Sequence, residues 1–241
     1  MTLIICFAKT MRNQKIIFLI SILLSMMSVE AFAHDIEVAN AEGVTIYYDF
    51  ENYETELVVV YRGYSDVSFS NEYTGNIIIP ESVTINEKNY PVTAIGSYAF
   101  SGCSVTNVTI GNNVTSIRND AFKNCSLLTS ITIGSNVTHI DGAAFEGCSS
   151  LTNISFLNSV CEIDCDFSDC PWYNSQPDGL IYAGKVAYKY KGIMPDNTSI
   201  VLEEGTTGIA RNAFMGCKGL TSVTIPNSVA NIGSWAFYEC I

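Results

Sequence analysis

Along most of this chain apolar residues return on a fixed beat. One stretch, Leu128 to Ser150, reads LTSITIGSNVTHIDGAAFEGCSS. Leu128, Ile131 and Ile133 interleave with Ser130 and Thr132, the spacing of a short strand with one apolar and one polar face. Val137 and Ile140 come next, then the pair Ala144-Phe145, then Cys148. The pair recurs as Ala99-Phe100, Ala121-Phe122, Ala213-Phe214 and Ala236-Phe237, each with a cysteine three residues after the phenylalanine. These phenylalanines stand 22, 23, 69 and 23 residues apart, and 69 is three periods of 23. Self-similarity at such a period predicts a solenoid, in which each unit buries its apolar face only against its neighbours. Each unit is expected to give one strand to a parallel sheet and to return through the Val-x-x-Ile segment. Alanine lets coils approach, and phenylalanine fills the space between the walls.

The departures from the beat carry their own predictions. Extra residues between Val83 and Val92 read as a hairpin turning at Asn86 to Asn89. After Leu151 the pattern weakens, with Asp166-Phe167 in place of Ala-Phe before Cys170. Phe167 and Phe214 are 47 residues apart, two periods plus one. The first of those two units has become PWYNSQPDGLIYAGKVAYKYKG, whose alternation about Gly184-Lys185 predicts a hairpin with a two-residue turn. Seven coils follow by this reading, starting at Asn76, Val105, Leu128, Leu151, near Gly179, Asn197 and Leu220. Residues 34–73 are expected to form an antiparallel β cap, and 74–241 the repeat domain with an irregular hairpin unit at 171–196. After Cys240 no C-terminal cap is evident, so the last coil is expected to have an open edge.

The unit resembles that of the BspA-type leucine-rich repeat proteins of bacterial cell surfaces, L-x-x-I-x-I-x-x-x-V-x-x-I-x-x-x-A-F-x-x-C-x-x, over roughly Thr74 to Cys240. The resemblance implies a leucine-rich repeat arc of short parallel strands, mainly β and loop. It also implies adhesion or binding to varied partners.

The first 33 residues hold Arg12 and Lys15, an uncharged apolar run from Ile16 to Val29, and Ala31-Phe32-Ala33. That order of charged, apolar and small residues is a secretory signal peptide, with Met11 the more natural start. The run is too short to span a bilayer, so no stable membrane span is expected after cleavage. A secreted or cell-surface location follows, the periplasm included. Without Lys9, Arg12, Lys15 and Glu30 the chain keeps 9 basic and 23 acidic residues, a net charge of −14. Such a surface repels phosphate, which excludes nucleic acid as a partner.

Catalytic chemistry is missing. The histidines are His34, at the presumed cleavage point, and His139, at an outward repeat position. Cys161, Cys165 and Cys170 lack a fourth ligand and zinc spacing. Asp164, Asp166 and Asp169 lack the glycine and glutamate of a calcium loop. Glu203-Glu204 are adjacent, a poor arrangement for paired carboxylates. No enzyme activity, cofactor or metal is expected. The periodic Cys103, Cys125, Cys148, Cys170, Cys217 and Cys240 read either as a buried ladder of thiols or as stacked disulfides. Cys161 and Cys165 fall outside it and are the better candidates for a redox pair.

Two candidate binding sites emerge. Outward strand positions Asn76, Ile78, Asn107, Thr109, Ser130, Thr132, Asn153, Ser155, Ser199, Val201, Ser222 and Thr224 would line a mostly small, polar concave strip. The irregular unit gathers Trp172, Tyr173, Tyr182, Tyr188 and Tyr190 with Lys185, Lys189 and Lys191, the composition of an interface hot spot or sugar platform. Alternation would put the three lysines on one face of the hairpin and Tyr188 and Tyr190 on the other. A protein or extracellular matrix partner is therefore expected, with glycan capture by the hairpin as the alternative.

Overall fold

A computed structural model describes residues 36–52, 54–60, 73–157, 160 and 162–240. The signal segment and Cys161 lie outside these residues, as do parts of the region read as the cap. The described chain is a β-solenoid, and each regular coil has three sides.

The first side is the predicted strand. β4 (Thr74–Ile79), β7 (Ser104–Ile110), β9 (Ser130–Ile133) and β11 (Asn153–Phe156) form one parallel sheet in chain order. Leu128, Ile131 and Ile133 are buried, whereas Ser130 and Thr132 are only partly so. The second side carries the Val-x-x-Ile segment. There β6 (Lys88–Ile95), β8 (Ser116–Ile117), β10 (His139–Ile140) and β12 (Glu162–Ile163) pair in parallel. β5 (Ser82–Ile85) pairs antiparallel with β6 through Asn86-Glu87, both at positive φ, so the expected hairpin is present with a tight turn. Upstream, β1 (Ile36–Ala39), β2 (Thr45–Glu51) and β3 (Glu56–Val60) pair antiparallel, and β3 joins β6 in parallel. A bidentate Arg118–Glu51 pair, at 2.5 and 2.6 Å, ties β2 to the second wall.

The third side is the Ala-Phe turn. Its backbone donors point to the following coil: Phe100 N–H to Ala121 O, Phe122 N–H to Ala144 O and Phe214 N–H to Ala236 O, at 2.7 to 2.8 Å. On the second wall the donors point to the preceding coil, as in Arg118 N–H to Ile95 O and Asp141 N–H to Ile117 O. Shaping the turn this way puts Tyr98, Asp120, Ala143, Asn212 and Trp235, each just before the alanine, at φ between 56° and 61°. Left-handed backbone costs a non-glycine residue roughly 1 to 2 kcal/mol. Here it recurs with the repeat because the inter-coil hydrogen bonds require it.

Inside, the phenylalanines stack. Ring centroids are 5.0 Å apart for Phe100–Phe122, 5.4 Å for Phe122–Phe145, 5.5 Å for Phe145–Phe167 and 5.3 Å for Phe214–Phe237. Tyr73 extends the column upstream, 4.5 Å from Phe100. Of the ladder thiols, Cys125, Cys148, Cys170 and Cys240 form no disulfide and hydrogen-bond to the preceding coil. Cys125 Sγ donates to Phe100 O at 2.9 Å, Cys148 to Phe122 O at 3.1 Å and Cys240 to Phe214 O at 3.0 Å. Burial pushes the Cys125 and Cys170 thiols up to about 12 and Cys148 higher still.

The unit expected near Gly179 departs from the seven-coil reading. Its strands, β13 (Gly179–Ala183) and β14 (Val186–Lys191), pair antiparallel, and β14 continues in parallel to β16 (Gly208–Ile209) and β18 (Asn231–Ile232). No strand of this unit enters the first wall. That wall resumes separately as β15 (Thr198–Val201) and β17 (Leu220–Thr224), so the described residues give it six strands in two groups. An antiparallel partner for β14 uses up residues that a regular coil would have spent crossing to the other side.

Phe145 is fully enclosed, so Phe145→Ala is expected to cost about 3 to 5 kcal/mol. Thr132→Ala, on the outward face, should cost under about 0.5 kcal/mol. Denaturant titration of both variants checks the assignment of faces, and comparable losses would reverse it. The thiols give a second test. Because Cys125 and Cys170 are held neutral to about 12 when folded but ionise near 9.0 when unfolded, their contribution to stability is complete below pH 9.0 and falls as the pH climbs toward 12. Native protein at pH 8 should leave both unmodified by a thiol reagent, with Cys240 reacting first. Rapid native labelling of Cys125 would contradict this burial.

Candidate functional site

Six of the twelve strip positions, Asn107, Thr109, Ser130, Thr132, Asn153 and Ser155, come together on three adjacent strands. Asn107, Ser130 and Asn153 stand in register, and so do Thr109, Thr132 and Ser155. The polar groups are joined from coil to coil. Asn107 Nδ2 donates to Asn76 Oδ1 at 2.7 Å, and Ser130 Oγ donates to Asn107 Oδ1 at 2.6 Å. Thr129 Oγ1 donates to Thr106 O at 2.9 Å and Thr152 Oγ1 to Thr129 O at 3.3 Å, a second rail beside the first. These bonds restrict the side chains of Asn107, Ser130, Thr129 and Thr152, so that part of the face presents preorganised donors and acceptors. Ser199 and Ser222, 2.6 Å apart, belong to the second strand group. The strip is therefore interrupted after β11.

In the irregular unit much of the aromatic surface lies inside. Trp172 is 9% exposed and Tyr188 2%, so neither ring forms a surface platform. Both meet Phe167 edge-on at 5.3 Å, closing the phenylalanine column where Ala-Phe is missing. Tyr188 Oη accepts the buried Phe167 N–H at 2.8 Å. Tyr190 and Tyr182 pack on the second core cluster, around Phe214, and Tyr182 Oη accepts the Glu203 N–H at 3.0 Å.

The lysines do not form a free charged face. Lys189 pairs with Asp166 at 3.2 Å. Burial pushes the Asp166 carboxyl up, but the Ser168 N–H and Lys189 together hold it below the usual carboxylate range. Lys191 Nζ donates to the carbonyls of Asn174 at 2.8 Å and Gln176 at 2.6 Å, closing the end of the short helix α1 (Pro171–Asn174). Lys189 and Lys191 also lie 5.6 and 5.4 Å from the Tyr173 ring, so cations and an aromatic share one side. Lys185 alone of the three is exposed, in the turn after Gly184. A Cβ at Gly184, whose φ is 62°, would fall 2.8 Å from Phe156 Cβ, which is why the turn needs glycine.

Among the described residues no cluster of His, Cys, Asp or Glu is disposed to hold a metal, and no helix is long and apolar enough to cross a membrane. His139 Nε2 lies 3.1 Å from Glu162 on the next coil, a contact between exposed side chains. Cys165 is buried as a free thiol. The sequence reading passed over an aromatic group on the last two coils, Trp235 and Tyr238 beside Arg211. Its signal was available, since Trp235 replaces the small or polar residue that precedes alanine in the preceding coils other than the first.

A family model described as BspA type leucine rich repeat region matches six copies over residues 64–174 and 186–241. The gap between the two spans falls on β13 and its approach. Similar solved structures include a leucine-rich repeat protein of Bacteroides ovatus ATCC 8483, 28% identical, covering 81% of this chain and 43% of its own, with a TM-score of 0.47. A leucine rich cell surface protein of Faecalibacterium prausnitzii A2-165 is 26% identical, covering 86% of this chain and 52% of its own, also at 0.47. The T. pallidum leucine rich repeat protein is 18% identical over 81% of this chain and 86% of its own, again at 0.47. The chain spans about half the length of the first two. No curated protein matches it.

The lysine roles can be separated by stability. Lys191→Met removes a cation from several carbonyls and is expected to cost about 1 to 3 kcal/mol, whereas Lys185→Ala should cost under about 0.5 kcal/mol. Equal melting temperatures for the two variants would return Lys191 to the list of free surface charges.

Proposed function

The chain belongs to the BspA-type leucine-rich repeat family, and we propose that it is an exported, non-catalytic scaffold that holds a protein or matrix partner along the outward face of β7, β9 and β11. One observation carries the reading: Asn107, Ser130 and Asn153, with Thr109, Thr132 and Ser155 beside them, repeat in register on one face, part of which is tied from coil to coil through Asn76, Asn107 and Ser130. The tied part gives up little conformational entropy on binding, and the face offers a periodic row of hydrogen-bonding groups to an extended partner. Export is supported by the charged, apolar and small-residue order of residues 1–33. A matrix or host-surface protein suits that location. The glycan alternative loses its support at the hairpin, where Trp172 and Tyr188 lie inside.

The test is binding of the full chain to immobilised extracellular matrix and cell-surface proteins beside a glycan array. Protein binding is expected, and a Thr109→Arg, Thr132→Arg, Ser155→Arg triple variant should weaken it about tenfold or more at an unchanged melting temperature. Binding to glycans alone, or full binding by the triple variant, would overturn the reading.

A further inference from the structure

On the flank formed by the Ala-Phe turns, the middle coils are polar and self-neutralised. Lys123 there pairs with Asp120 at 3.1 Å and with Glu146 at 3.2 Å. On the last two coils the equivalent positions have changed character. Trp235 stands where Asp120 and Ala143 stand, and Tyr238 and Met215 where Lys123 and Glu146 do. All three are well exposed, at 60%, 52% and 48%. They form one patch: the Trp235 and Tyr238 rings are 6.3 Å apart, and the Gly216 N–H donates to Tyr238 O at 2.8 Å, which sets Met215 beside Tyr238. Trp235 leans back on the preceding coil, its ring 5.1 Å from the Arg211 guanidinium, so the patch lies along the flank of the two coils.

Arg211 decides what the patch would receive. It is exposed, and among the described residues no carboxylate pairs with it, although the chain has 24 acidic residues to 12 basic. Stacking on Trp235 orients the guanidinium without using its N–H donors, which stay available for a bidentate carboxylate. Tryptophan, tyrosine, methionine and arginine together are the residues that interface centres favour, and aromatic surface beside them suits an apolar side chain. We infer that the Arg211–Trp235–Tyr238 flank is a second contact site, taking a protein segment in which an aspartate or glutamate stands next to aliphatic or aromatic residues. The carboxylate would lie in the guanidinium fork, and the apolar neighbour across Trp235, Tyr238 and Met215. This rests on the protein-binding reading above but uses a different side of the coil.

The probe is a set of short synthetic peptides with Asp or Glu between Leu, Phe or Tyr residues, each paired with its Asn or Gln version, applied to the immobilised full chain. The acidic peptides are expected to bind, and their amide versions to bind about tenfold more weakly. Arg211→Gln and Trp235→Ala should each lower retention of the acidic peptides by about tenfold. Both side chains are exposed, so thermal melts should match the parent, and Tyr238→Ser supplies an independent variant if either does not. The front-face triple variant should bind the peptides as the parent does. Equal binding of the amide versions, undiminished binding by Arg211→Gln, failure of every acidic peptide to bind, or Trp235-dependent binding of sugars alone would overturn the site. Peptide binding lost in the front-face variant but kept in Arg211→Gln would overturn this site and leave the protein-binding reading standing.

Discussion

Every coil in this molecule depends on the one beside it for its hydrogen bonds. A single unit of 22 or 23 residues has no core of its own, and its backbone donors on one side and acceptors on another find partners only in the adjacent units. This constraint explains the monotony of the chain. Coils one strand spacing apart, about 4.8 Å, must place like residues over like, so rings stack at 5.0 to 5.5 Å and thiols reach the carbonyl of the preceding phenylalanine. It also explains a repeated strain. The residue before each alanine accepts left-handed backbone because the alternative leaves buried amides unpaired, which costs more than the conformation does.

The irregular unit shows how much variation the constraint tolerates. Where Ala-Phe is lost, Tyr188 and Trp172 supply aromatic mass to Phe167, and Tyr188 also satisfies the Phe167 amide. On the second wall β14 starts a separate sheet with β16 and β18, and Arg211 N–H reaches past the hairpin to Ile163 O at 3.2 Å. The first wall is interrupted as well, resuming as β15 and β17. The core accordingly divides into two clusters, one running to Tyr188 and one around Phe214. The hairpin thus interrupts the strand ladders of both walls, and single backbone hydrogen bonds and aromatic packing bridge it.

These mechanics separate structural from surface chemistry. Lys189 and Lys191 are engaged within the fold, by Asp166 and by the end of α1, so their charge serves stability. The polar rails of the first wall and the Arg211 flank are solvent-facing, and they differ in kind. One is a row of small hydrogen-bonding groups repeated at coil spacing. The other is a single aromatic and cationic patch that breaks the local pattern.

What the sequence determined by itself is the period and everything that repeats with it. The alternation of Leu128, Ile131 and Ile133 with Ser130 and Thr132, the buried Phe145 and the inter-coil Cys148 were legible because a solenoid copies each choice into every unit. The hairpin at Gly184-Lys185 was legible too, since turn chemistry is local. Only the tertiary structure decided where that hairpin's side chains point. Tyr188 and Lys191 alternate along a strand as exposed residues do, yet one ring was needed to fill the gap left by a missing phenylalanine and one ammonium to close a helix end. Nor did any glycine mark the left-handed positions at Tyr98, Asp120 and Ala143, because their conformation is imposed by the neighbouring coil. A repeat writes its own contacts many times over, whereas an insertion makes each of its contacts once, with partners far away in the chain, and those are set by the space and the unpaired groups that the regular coils leave.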